Sequence, residues 1–211
     1  MSRINRMIEL EVEIFGESEI SKLLNKGDKR AIKFKKMIDW LDNNYFNTMS
    51  SAFFFDKVRE EIGEAKVALD QYKSKSDNNA RHLLLGEISD FILATSSALD
   101  HDVKYDNIKV LIDALIKVIS EGSNIKREIT QAEIFNAHYD KIVEIYWSVN
   151  QYFNILKGDR KSLMGSIQTK IRDDADLKNP ANKMKIVKEI RRMFFALCEV
   201  GVLNTNTINV W

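Results

Sequence analysis

The chain has 211 residues, 32 Lys and Arg against 31 Asp and Glu, a formal net charge of +1 and a hydrophobic content of 45%. These values exclude a disordered tail and a global polyanion-binding field, and they suffice for a buried core. One Pro and 8 Gly argue against a turn-rich β protein, and the single cysteine, Cys198, excludes an intrachain disulfide framework and a multi-Cys zinc site.

Hydrophobic spacing is helical almost throughout. Residues 2–15 carry Met7, Ile8, Val12 and Ile14, with charges interspersed and no apolar signal-peptide core. No run approaches the roughly 18 apolar residues that span a bilayer. A cytoplasmic location without a membrane partner is therefore expected. Gly16 and Gly27 bracket a short helix. Asp28 is a candidate N-cap for a helix over 28–47 carrying Ile32, Phe34, Ile38, Trp40 and Leu41. Thr48 or Ser50 is placed to cap a helix over 51–72, and KSKSDNNA (73–80) reads as a surface loop. Further helices are expected over 79–99, 104–121, 130–157, 160–172 and 181–200, with breaks at Gly122, Gly158 and the Asn179-Pro180 pair. The fold class is all-α. A four-helix-bundle core (28–47, 51–72, 79–99 and 104–121) carries additional C-terminal helices, so 1–211 is read as one domain with a core over 28–121 and an extension over 122–211.

Two of these helices repeat a pattern. Glu61-Ile62-Gly63-Glu64 aligns with Glu87-Ile88-Ser89-Asp90, and an Ala follows four residues after the second acid in each, at Ala68 and Ala94. Residues three apart share a helix face. The apolar stripes are Val58, Ile62, Ala65 and Leu69 on the first helix, and Leu84, Ile88, Phe91, Thr95 and Leu99 on the second. Each acid pair flanks its stripe. An antiparallel hairpin would bring Glu61, Glu64, Glu87 and Asp90 together, with Gly63, Ala68, Gly86, Ser89 and Ala94 as small residues permitting close approach. Four like charges at that density call for a cation. All-oxygen ligands suit Mg²⁺, or Mn²⁺. Glu60 points away from the stripe and reads as solvated. The same spacing also describes two ordinary charged helix flanks, so a non-enzymatic helical scaffold stands as the alternative.

The remaining features read blandly. His82 is a surface residue near a cap, and His101 suits a helix C-terminus. His138, Asp140 and Glu144 lack the spacing of a di-iron site. Phe53-Phe54-Phe55 and the aromatic run 134–153, with Tyr139, Tyr146, Trp147, Tyr152 and Phe153, read first as packing. The basic stretch 182–192 reads as a solvated face, and Cys198 as a buried thiol. No nucleic-acid partner is expected.

VREEIGEAKVAL followed by LLGEISDFILA resembles the EExxE…ExxD motif of the MazG-like, all-α NTP pyrophosphohydrolases, a superfamily that includes the dimeric dUTPases and phosphoribosyl-ATP pyrophosphohydrolases. The likeness spans about residues 30–100. It implies that Glu61 and Glu64 are the ExxE pair, Glu87 and Asp90 the ExxD pair, and Glu60 the leading acid, with Lys57 near a commonly basic position. It further implies that these four acids are both the metal ligands and the catalytic residues. A nucleoside triphosphate would then be hydrolysed with Mg²⁺ to the monophosphate and pyrophosphate, by a homo-oligomer, either dimer or tetramer. A degenerate member that binds nucleotide without turnover is a further alternative.

Overall fold

The computed structural model describes residues 2–156, with side chains to Asn150. The helices expected over 160–172 and 181–200, Pro180, the basic stretch 182–192 and Cys198 lie outside the described residues. The chain divides into two compact units, Met1–Val143 and Glu144–Trp211.

Among the described residues the structure is all-α: α1 (Arg3–Phe15), α2 (Glu19–Asn25), α3 (Lys29–Asn44), a 3₁₀ turn (Phe46–Thr48), α4 (Ser51–Lys75), α5 (Asn78–Asp100), α6 (Tyr105–Ser123) and α7 (Gln131–Leu156). Local chemistry sets the ends. The Asp28 carboxylate accepts from the amides of Arg30 and Ala31, at 2.8 and 3.0 Å, and starts α3. Ser50, rather than Thr48, caps α4 by accepting from Phe53 N at 3.2 Å. Gly16 closes α1 in the left-handed region at φ 79°, its amide bonded to Val12 O at 2.8 Å.

The first unit is organised on the α4–α5 hairpin, whose packing is the most extensive in the fold. Its connection is far shorter than the loop expected from the sequence. Only Ser76, at φ 51°, and Asp77 intervene, and Asp77 accepts from Ala80 N at 2.7 Å to start α5 at once. Lys73–Lys75 and Asn78–Ala80 are helical because these caps satisfy the exposed ends of both helices. Val58, Ile62, Ala65 and Leu69 face Leu84, Ile88, Phe91 and Thr95 as buried stripes, while Leu99 is half-buried. Each large apolar side chain removed from water contributes about 1.5–3 kcal/mol.

α6 packs on α4 and α1 packs on α5, whereas α3, expected in the bundle core, packs chiefly on α1 and α2, so α1 takes the place beside the hairpin that α3 was expected to hold. The inward face of α1 differs from the expectation: Ile4, Met7 and Leu10 are buried, whereas Val12 is exposed. Arg3 and Glu11 sit on this buried face too, compensated by partners on other elements. Arg3 is fully buried, paired with Asp42 at 2.5 Å, hydrogen-bonded to Ser97 and set over the Phe46 ring at 4.1 Å. Glu11 accepts from Ser18 Oγ and Ile20 N. Gly122 stands in the last turn of α6, one residue before its end at Ser123, close to the break expected there. A Cβ there would come within 2.9 Å of the side-chain ends of Leu84 and Ile129, which would have to shift to admit a larger residue.

Candidate metal centre

Glu61 lies on α4 and Glu87 and Asp90 on α5, at facing levels of the hairpin. One carboxylate oxygen from each lies within 4.8 Å of the others. Glu64, one turn beyond Glu61, is exposed and outside this converging group. Three of the four acids singled out in the sequence thus converge, and the fourth stands on the rim, where its charge still reaches Glu61, Glu87 and Asp90. The small residues divide likewise. Ala68, Ser89 and Ala94 are buried, but nothing lies within 4 Å of a Cβ placed on Gly63 or Gly86. Those two glycines are not what lets the helices approach.

Glu61 is 6% exposed. Its Oε1 lies 3.2 Å from Lys57 Nζ, while its Oε2 is buried without a hydrogen-bond partner. Burial raises its pKa to about 7; the nearby charges of Asp90 and Glu64 add to this, and Lys57 opposes it. Burial also lifts Glu87 and Asp90 above the ordinary carboxylate range, Glu87 further because Asp90 and Glu64 stand close, Asp90 against the pull of Lys141. Lys141, on α7, pairs with Asp90 Oδ2 at 2.7 Å. Lys57 also bonds Glu60 at 2.7 Å. Burial alone would lower Lys57, but Glu60 and Glu61 outweigh it and its pKa is about 12.

Lys141 escapes sequence reasoning because nothing local links it to Asp90. Ser89 supplies the link: its Oγ donates to Leu85 O at 2.8 Å and approaches Ile134 O at 3.4 Å, holding α7 against α5. The other candidates are structural. His82 is exposed. His101 caps α5 and stacks on Phe54 at 5.0 Å. His138 is 1% exposed, and burial holds its pKa at about 3, so it is neutral. Asp140 is exposed and lies 3.7 Å from Arg30. Of Phe53–Phe55 only Phe54 is fully buried. In the aromatic run, Phe135 is buried, Tyr139 stacks with Phe34 at 6.5 Å and Trp147 is exposed, while the side chains of Tyr152 and Phe153 lie outside the described residues.

The donor set fits a hard cation. All its atoms are carboxylate oxygens within 4.8 Å of one another, so small side-chain shifts would bring them to about 4 Å, the span across a Mg²⁺ ion. The partnerless Glu61 Oε2 is an acceptor that an electrophile would satisfy. A shallow groove of about 430 Å³ adjoins the cluster, lined by α4 from Arg59 to Gln71 and by Leu83 and Glu87 of α5. No protein-family model matches this chain, and no curated protein or solved structure matches it significantly. Among the described residues no helix is long and apolar enough to cross a membrane.

Proposed function

We propose that the chain is a Mg²⁺-dependent nucleoside triphosphate pyrophosphohydrolase, with Mn²⁺ as a substitute ion, converting a (d)NTP and water to the (d)NMP and pyrophosphate. The observation that carries this reading is the convergence of Glu61, Glu87 and Asp90 from two antiparallel helices around a buried, partnerless Glu61 oxygen. The resemblance of the EExxE…ExxD motif points to the same chemistry, and to a dimer or tetramer.

Glu61, Glu87 and Asp90 would hold the ion. When bound, it supplies charge neutralisation for the triphosphate oxygens. Glu64, on the rim, faces the groove through which substrate would enter. Lys57 fixes Glu61 Oε1 and leaves Oε2 free. With an ion bound, Glu61 returns to its ionised form, in which the carboxylate can orient water and accept its proton. The water oxygen bonds to the phosphorus next to the nucleoside, its proton passes to the Glu61 carboxylate, and the bond to the bridging oxygen breaks as pyrophosphate leaves with the electron pair.

A second reading rests on Lys57 and Lys141. Both engage acids of the cluster, as they would in a non-enzymatic helical scaffold. A nucleotide binder without turnover lies between the two. A screen for pyrophosphate release across NTPs and dNTPs, with and without Mg²⁺, decides. The enzyme releases pyrophosphate only with the metal, and Glu61→Gln or Asp90→Asn abolishes it. Undiminished release from either variant rejects the assignment. Nucleotide-dependent thermal shifts separate a binder from a scaffold.

A further inference from the structure

The groove beside the acids has features that packing does not explain. Gly63 sits in the middle of the 25-residue helix α4, where glycine costs about 1 kcal/mol relative to alanine. No neighbour lies within 4 Å of the Cβ it lacks, so no close approach requires it. Its position in the groove wall supplies another reason, since any side chain there would fill the groove.

The lining is also graded. Val67, Ala68 and Leu83 make an apolar stretch toward the hairpin loop, with Val67 58% and Leu83 40% exposed. Gln71 lies beside them, its side-chain amide unbonded to any described residue and able both to donate and to accept. Glu64 and Glu87 occupy the middle. Arg59 stands at the far end and forms no ion pair with any described residue, although Glu60 and Glu64 line the same groove. From Arg59 to Gln71 the helix rises about 18 Å. An apolar wall with one bifunctional amide suits a planar heterocycle, and an unpaired guanidinium suits phosphate oxygens.

We propose that this groove is the nucleotide subsite, with the base against Val67 and Leu83, Gln71 reading its polar edge, Gly63 keeping the passage open, and Arg59 receiving the terminal phosphates. The assignment rests on the pyrophosphohydrolase reading for its substrate and gives that substrate a direction: nucleoside toward the hairpin loop, pyrophosphate toward Arg59.

The test uses the full chain and three variants, Gly63→Gln, Val67→Glu and Gln71→Leu. Binding of each nucleoside monophosphate, a species that is not turned over, is followed by NMR with Mg²⁺ present, and turnover of the triphosphates is followed under the same conditions. Gly63→Gln should leave the melting temperature unchanged or raise it by about 2–4 °C, because it improves helix propensity, yet weaken monophosphate binding at least tenfold. Val67→Glu, at an exposed position, should raise KM tenfold with kcat kept. Gln71→Leu should change the ranking of bases. Monophosphate binding that needs Gly63, Val67 and Gln71, in a protein without turnover, supports the subsite and rejects the pyrophosphohydrolase. Turnover with the KM and base ranking of the wild type in Val67→Glu and Gln71→Leu rejects the subsite and leaves the enzyme assignment standing. Dissociation of an oligomer by Val67→Glu with nucleotide binding intact overturns the proposal in favour of a second copy of the chain. Failure of every monophosphate to bind the wild type overturns it as well.

Discussion

Arg81 and Glu61 lie on the same helical hairpin, and both are almost fully buried, yet their surroundings are opposite. Near the loop, Arg81 donates to both Glu133 oxygens, at 3.3 and 2.9 Å, and to the carbonyls of Arg127 and Glu128, and it approaches Tyr72 Oη at 3.4 Å. Burial alone would raise Glu133, but bonds from Arg81 and Thr130 overcome it and hold its pKa at about 2. About one and a half to two and a half turns along α5, the acids Glu87 and Asp90 meet Glu61, all three are pushed upward, and Glu61 Oε2 has no partner. The first cluster completes its own hydrogen bonds and serves the fold. The second leaves charge and an acceptor uncompensated, which costs stability and persists where a ligand supplies the missing partner.

Substitution separates the two most sharply. Arg81→Ala should destabilise the protein by about 3 kcal/mol, because it removes the bidentate partner of Glu133 and leaves the carbonyls of Arg127 and Glu128 without their donor; urea unfolding measures it. Glu87→Gln should do the reverse. It removes a like charge from the acidic cluster, so the metal-free protein should melt no lower than wild type. Mg²⁺-dependent pyrophosphate release should nevertheless fall about 10²-fold or more, equivalent to about 2.7 kcal/mol of barrier. A variant that loses stability and keeps activity would erase the distinction.

The pH dependence should differ in sign. Glu133 has a folded pKa of about 2, below the ordinary 4.5, so the folded state holds the proton less tightly than the unfolded chain. Its stabilisation is present above pH 4.5 and is lost as the pH falls toward 2. Glu61 is raised from 4.5 to about 7, so the folded state binds the proton more tightly. Its contribution is present below pH 4.5 and disappears as the pH rises toward 7. In EDTA, Glu61→Gln should flatten the decline between pH 4.5 and 7, and Glu133→Gln should flatten the acid limb. Melting curves across pH read both. The smallest effect belongs to the open groove wall: Gly63→Ala should stabilise the chain by about 0.5–1 kcal/mol, seen as a higher urea midpoint.

Much of the hairpin was legible because its signals are local. The stripes through Ile62 and Ile88, the caps Asp28 and Ser50, and the matched acid pairs all follow from residues within a few positions of one another. The loop 73–80 was misjudged because its polar composition suits a loop and a capped helix end equally. On α1, spacing marks Val12 as internal, but the inward face runs through Ile4, Met7 and Leu10 and also holds Arg3 and Glu11, whose partners Asp42, Ser97 and Ser18 come from elsewhere in the chain.

The sequence by itself determined the all-α class, most helix boundaries, and the placing of Glu61, Glu64, Glu87 and Asp90 on the flanks of two apolar stripes, since helical periodicity is written in neighbouring residues. Only the tertiary structure decided which acids meet. The rotation of α4 against α5 is set by how their stripes interlock, and it turns Glu61 inward while leaving Glu64 on the rim. It also decided that Lys141 reaches Asp90 and that Arg81 finds Glu133. Those partners come from a helix distant in the chain, and their pairing depends on packing across α5 and α7, which no local pattern encodes.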